Sequence, residues 1–347
     1  MKKIIVVVLM LTIVLGLCAC VQNPAPTTDD QTQTKKITLS LDWTPNTNHT
    51  GFYVAQAKGF YQEAGIEVEI IQPMEDSALM LCASNQAQFA IDAQDTMVGA
   101  LDSDEPLNVT AVATLIQHNT SGIISRKGEG MDRPSGLQGH SYATWNLPIE
   151  QKMMQSIVEQ DGGDFSQVTM IPNNFYDEAE ALRTNQTDAI WVYYAWAGIS
   201  AEISGLDFDI FYFKDLNPTF DYYTPILVAN NDFLNSDPQT AKAFLEATMK
   251  GYEYAIQNPD EAAQILIDGD DTGSLKIQRV HRMQIAGGEE LVKRSQNYLA
   301  GEYKAEVEQW GYIDPTRWDA FYQWLYDNGL TSKNLSGIGY TNDYLPQ

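Results

Sequence analysis

The sequence predicts an α/β fold of two lobes, joined by two crossover hinge strands and completed by a C-terminal helical segment. Three observations carry this. Between residues 36 and 228, short β-rich runs alternate with helical patterns, as in layered α/β folds with parallel strands. The 347 residues suit about two domains, at roughly 100–200 residues each. From residue 230 onward the pattern is helical. Ala241, Phe244, Leu245, Thr248, Tyr252 and Ala255 trace one apolar side, and Pro238 and Pro259 suit first helical turns.

The first residues stand apart. Met1-Lys2-Lys3 is a basic start, and residues 4–18 form an apolar run shorter than the roughly 20 residues of a spanning helix. This is the pattern of a secretory signal peptide. Leu17-Cys18-Ala19-Cys20 is similar to a bacterial lipobox, which implies cleavage before Cys20, lipidation of Cys20 and anchoring at the outer face of the cell membrane. Residues 21–34 are rich in Pro, Thr, Gln, Asn and Asp and read as a flexible tether. The expected division is a leader at 1–19, a tether at 20–35, a first lobe from 36–124 with 225–347, and a second from 125–224.

The 347 residues carry a net charge of −25. Loss of Lys2 and Lys3 with the leader would make it −27. A nucleic-acid partner is excluded, because little positive charge is available to displace counterions. Of three cysteines only Cys82 lies in the body, so no internal disulfide and no cysteine-based zinc site fits. Cys82 sits in an apolar run and reads as a buried thiol. His49, His118, His140 and His281 show no metal-ligand spacing, and no metal or cofactor is expected.

In chain order, residues 36–41 alternate as a strand and residues from 52 to about 64 suit a helix. Between them run Asp42, Trp43, Asn48 and His49. A capped turn around a buried Trp is the plainer reading. The concentration of a ring face, acceptors and helix-start N–H groups on one short loop favours a ligand loop. Strands follow at 66–71 and 88–91. The second ends in Gln94 and Asp95, which either cap the next helix or join the site beyond the strand ends. A strand at 109–115 precedes the first passage. Further strands are expected at 140–145, 168–171, 189–192 and 207–213. Trp145 ends one of them. Trp191, Tyr193, Tyr194 and Trp196 crowd the end of another, where alternation puts Trp191 and Tyr193 on one face. Asp221, Tyr222 and Tyr223 lie by the return passage, either at a cleft or in packing between lobes.

Asp42 to Gly51, with Tyr53-Val54-Ala55-Gln56-Ala57-Lys58-Gly59-Phe60-Tyr61, resembles the start of bacterial substrate-binding proteins related to the thiamine-pyrimidine synthase family. The resemblance extends over nearly the whole body. It implies a periplasmic-binding-protein-like fold with crossovers between lobes at 123–125 and 219–228, and a monomer that hands a small ligand to an ABC permease and its ATPase. The implied ligand is a flat heterocycle, foremost a thiamine pyrimidine precursor, with riboflavin as the alternative. The segment 191–198 resembles the family's aromatic ligand wall, but Ala197 stands where pyrimidine binders often carry an acid. The expected site is Asp42, Trp43, Asn48, His49, Gln94, Asp95, Trp145, Tyr193, Tyr194, Trp196 and Tyr222. The ring would stack on Trp43 and the 193–196 aromatics, Asp42 and Asn48 would bond its edge, and the lobes would close over it. Fungal relatives make the thiamine pyrimidine using a histidine, which singles out His49. The export leader and the single body cysteine argue against that enzymatic reading.

Overall fold

The computed structural model describes residues 34–72, 77–175, 177–275, 279–280, 283–284 and 288–346. The leader, Cys20, nearly all of the tether and His281 lie outside the described residues. Two five-stranded sheets organise the rest. The first has the order β2-β1-β3-β10-β4, with β1 at Lys35–Ser40, β2 at Ile66–Ile71, β3 at Phe89–Asp92, β4 at Val109–Thr114 and β10 at Ile226–Asn230. The second has the order β7-β6-β8-β5-β9, with β5 at Ser121–Arg126, β6 at Ser141–Thr144, β7 at Thr169–Pro172, β8 at Ala189–Tyr193 and β9 at Phe208–Tyr212.

The sheets share one plan. β2, β1 and β3 run parallel, as do β7, β6 and β8. In each sheet one strand is antiparallel to both neighbours, and it is the strand that has just arrived from the other lobe: β10 in the first, β5 in the second. The segments after β1 and β6 are therefore equivalent, as are those after β3 and β8. Ligands in such sheets lie beyond the carboxyl ends of parallel strands.

Ile123, Ile124 and Ser125, expected at the first passage, instead occupy the middle of β5, where Ile123 and Ile124 are buried on opposite faces and the buried Ser125 hydroxyl donates to the Met131 carbonyl. The first connection is residues 115–120. The return runs over 213–225, and Ile226 to Val228 already belong to β10. The expected helices are present as Pro148–Gln160, Glu178–Arg183, Pro238–Gln257, Pro259–Gly269, Gly288–Glu302 and Pro315–Asp327. The tail is not wholly helical: Arg279–Val280 pairs with Met283–Gln284, and Tyr340 bridges Ala111 of β4. Asp237 caps the helix that Pro238 opens, its carboxylate accepting the Thr240 N–H. Cys82 is buried and free.

The first core packs Phe89 on Phe244 at 4.1 Å and Tyr252 on Trp310 at 4.3 Å between ring centroids. Helices Thr50–Ala57 and Pro238–Gln257 cross at two glycines. A Cβ on Gly51 would lie 2.1 Å from the Tyr252 ring, and one on Gly251 would lie 2.0 Å from the Gly51 carbonyl oxygen. This close crossing holds the helix that follows the ligand loop. No described helix is long and apolar enough to cross a membrane.

Candidate ligand site

The loop after β1 is built from its own polar groups. Asn46 caps the short turn Thr47–His49, its side chain accepting the Asn48 N–H at 2.9 Å. Its backbone N–H donates to His49 Nδ1 at 3.2 Å. Nδ1 is therefore the lone-pair nitrogen, and the proton sits on Nε2, which lies 2.8 Å from Asp42 Oδ1. Both ring nitrogens of the buried His49 are occupied by the protein. The ring thereby fixes the orientation of Asp42. Tyr252 and Tyr303 tie the loop down by donating to the carbonyls of Asn48 at 2.6 Å and Thr47 at 2.5 Å. With the backbone so fixed, Asp42 and Trp43 project outward, Trp43 being 45% exposed, and Asn48 is half-buried beside them.

The equivalent loop after β6 uses a buried carboxylate for the same purpose. Glu150 accepts from the Tyr142 hydroxyl at 2.6 Å, the Thr144 hydroxyl at 3.0 Å, and the N–H groups of Trp145 and Leu147 at 3.2 Å each. Trp145 is left 43% exposed, the counterpart of Trp43 on the other sheet. Trp191 lies behind it, 5.7 Å from the Trp145 ring and 4.0 Å from Phe213.

Beyond β3 and β8 the two lobes meet. The Tyr193 hydroxyl bonds Thr224 of the return connection. Burial raises its phenol above the usual value, and the charges of Asp95 and Asp42 add to this. Asp95 is pushed up to about 6 by burial, against hydrogen bonds from backbone N–H groups and from Tyr222, whose hydroxyl stands 3.4 Å away. Asp92, which ends β3, is pushed up to about 7 by burial, with Asp95 and Asp42 contributing. Thr96 donates to Asp92 Oδ1 at 2.5 Å, while Asp92 Oδ2 is buried without a partner. The structure thus gathers Asp42, Asp92, Asp95, Tyr193 and Tyr222, with Trp43 and Trp145 at the two strand ends.

The remaining expected residues go elsewhere. Gln94 is buried and both ends of its amide are used: Nε2 donates to the Trp318 carbonyl at 2.9 Å and Oε1 accepts the Tyr223 N–H at 3.0 Å. It is a strut, not a helix cap. Tyr194 and Trp196 leave the wall because β8 ends at Tyr193 and the chain turns into the π-helical segment Tyr194–Gly198, which ends the two-residue alternation. Tyr194 donates to Glu202 at 2.6 Å and packs on Tyr298 at 5.1 Å. Trp196 packs with Leu266, Ile267, Leu275 and Val292. Both join the second sheet to the C-terminal helices instead of facing the acids. Sequence reasoning missed Asp92, whose signal was its place as the last residue of a strand.

The two connections are fastened to each other. His118 Nδ1 lies 2.6 Å from Asp221 Oδ2, and His118 Nε2 lies 2.8 Å from Glu306 Oε2. The Asn119 N–H donates to Asp221 Oδ1 at 2.8 Å, and Arg317 donates to the Gln117 carbonyl. Among the described residues no group of three or more His, Cys, Asp or Glu side chains is arranged to hold a metal ion. A cavity of about 1030 Å³ also lies along β2, lined by residues such as Tyr53, Glu69 and Ile265, and none of the gathered acids or aromatics lines it.

A family profile described as NMT1/THI5 like matches residues 46–262. The chain belongs to the NMT1/THI5-like family. The matched span begins in the ligand loop and takes in every residue of the gathered site except Asp42 and Trp43. Among NMT1/THI5-like relatives, a formylaminopyrimidine-binding protein of Halalkalibacterium halodurans is 26% identical over 97% of this chain and 99% of its own. The riboflavin-binding protein RibY of Chloroflexus aurantiacus is 23% identical over 100% of this chain and 99% of its own. The ligand-binding component of an ABC-type import system from Staphylococcus aureus superposes with a TM-score of 0.61 at 13% identity, covering 85% of this chain and 92% of that one. The fold is that of the two-lobed periplasmic binding proteins.

Proposed function

We propose that this chain is the extracytoplasmic solute-binding component of an ABC importer, anchored through a lipidated Cys20, and that it captures a flat thiamine pyrimidine precursor of the formylaminopyrimidine or hydroxymethylpyrimidine type. The observation that carries this is the equivalent placement of Trp43 and Trp145 after β1 and β6. Two half-exposed indoles follow equivalent strands of the two sheets, beside acids that accept N–H groups. The full-length similarity to a formylaminopyrimidine-binding protein supports the ligand class. A heterocycle would lie against the indoles, Asp42 would take an edge N–H, and residues 115–120 and 213–225 would serve as the hinge. Ligand contacts made only when both sheets engage would shift the population toward the closed form, which the permease would read.

No reaction is proposed for the site. His49, the residue an enzymatic reading would use, has both nitrogens committed to Asn46 and Asp42. Riboflavin is the second reading, favoured by the full-length similarity to RibY. A thermal-shift screen separates the two. Ligand held well above its dissociation constant raises the melting temperature by mass action. A shift with pyrimidines supports the first reading, a shift with riboflavin alone supports the second, and none with either contradicts both.

A further inference from the structure

We infer that Asp92, with Asp95 beside it, is the subsite that selects the ligand's edge, and that it requires an amino-substituted or protonated ring nitrogen edge rather than a carbonyl edge. This rests on the reading of the chain as a heterocycle-binding protein.

Geometry gives the direction of the group. Asp92 is the last residue of β3, opposite Ile226 of β10, at the carboxyl end of the sheet where Asp42 also emerges. One oxygen is committed, since Thr96 donates to Oδ1 at 2.5 Å. The other, Oδ2, is sealed from solvent and has no partner in the chain. A buried acceptor without a donor is rare in folded proteins, and a ligand N–H aimed at it supplies what is missing.

The surroundings agree. The charged groups acting on Asp92 are the carboxylates of Asp95 and Asp42. The phenols of Tyr193, Tyr222 and Tyr322 also feel the Asp95 charge, and the Cys82 thiol feels that of Asp92. Among the described residues no Lys or Arg pairs with Asp42, Asp92 or Asp95, whose one cationic-type neighbour is the neutral His49. A ligand with two N–H donors, or with a ring nitrogen that takes a proton, completes such a site. Above about pH 7, where Asp92 and Asp95 are ionised, a ring presenting carbonyl oxygens on the same edge would face acceptors with acceptors.

The test compares 4-amino-5-hydroxymethyl-2-methylpyrimidine with its 4-oxo counterpart, by calorimetric titration of the full chain in detergent at pH 8, where Asp92 is ionised. The wild type should bind the amino compound at least about tenfold more tightly, the scale of one charge-assisted hydrogen bond. Asp92→Asn should reverse the preference. With its oxygen kept on the Thr96 hydroxyl, the new amide turns an NH₂ donor to the Oδ2 position. Equal binding of both compounds by the wild type, which needs no variant to fold, would overturn the Asp92 assignment while leaving the heterocycle reading intact. Binding of the amino compound that Asp92→Asn leaves unchanged would overturn it too. Binding of neither pyrimidine, with riboflavin bound, would overturn the pyrimidine reading on which it rests.

Discussion

His118, on the first connection between the sheets, holds Asp221, on the return connection, at 2.6 Å. The same ring reaches Glu306 at 2.8 Å, so one imidazole ties both hinge segments to the C-terminal region. The hydrogen bond to Asp221 is the main cause that raises the His118 pKa, opposed by burial and by Arg317 and aided by Glu306. A histidine whose folded value is raised adds stability that is fully present below its unfolded value, about 6.5, and fades as pH rises through the folded value. Thermal melts from pH 5 to 9 should therefore show the wild type ahead of His118→Gln by a margin that is largest at the acid end. A constant margin across this range would contradict the charge-based clamp.

Asp92 gives the opposite sign. Its folded value of about 7 lies above the ordinary carboxylate value, so the folded state holds a proton that the unfolded state gives up. Stability of the unliganded protein then falls as pH rises from about 4 to 7. Asp92→Asn removes this cost. The variant should be more stable than the wild type at pH 8, by about 4 kcal/mol in order of magnitude, and no more stable at pH 4. A site that is costly to keep without ligand is the usual trade between stability and binding. An equal melting temperature at pH 8 would remove this support.

The crossing at Gly51 sets the position of the ligand loop. A methyl group there meets the Tyr252 ring at 2.1 Å, and Tyr252 also holds the Asn48 carbonyl. Gly51→Ala should destabilise the protein by about 1–3 kcal/mol in urea unfolding, the range for overpacked cores. Unchanged stability would mean that the two helices separate at little cost.

The aromatic residues should divide by role. Trp43→Ala removes a half-exposed ring and should weaken ligand binding about tenfold or more with little change in melting temperature. Trp196→Ala removes packing of a partly buried ring against Leu266, Ile267 and Val292 and should lower stability, by about 2–3 kcal/mol, below the range for a fully buried ring. Paired melts and titrations check this. The reverse pattern would return Trp196 to the ligand wall.

What could be read from the sequence follows from range. The turn after β1 was legible because Asp42, Asn46, Asn48 and His49 bond one another within seven positions. The fold class was legible because parallel strands alternating with helices leave a periodic record. Gln94 was not, since its partner Trp318 lies 224 positions away. Tyr194 and Trp196 were misplaced because two-residue alternation holds only while the strand lasts, and the strand ends one residue earlier. The shared plan of the two sheets, and with it the equivalence of Trp43 and Trp145, left no repeat in the residues because it is a property of strand order.

The most direct test of the central claim is titration of the protein with a 4-amino-5-substituted 2-methylpyrimidine, followed by tryptophan fluorescence and calorimetry. Saturable one-to-one binding, with a fluorescence change that Trp43→Ala diminishes, is the predicted result. A folded, cooperatively melting protein that binds neither this pyrimidine nor any other flat heterocycle would contradict it.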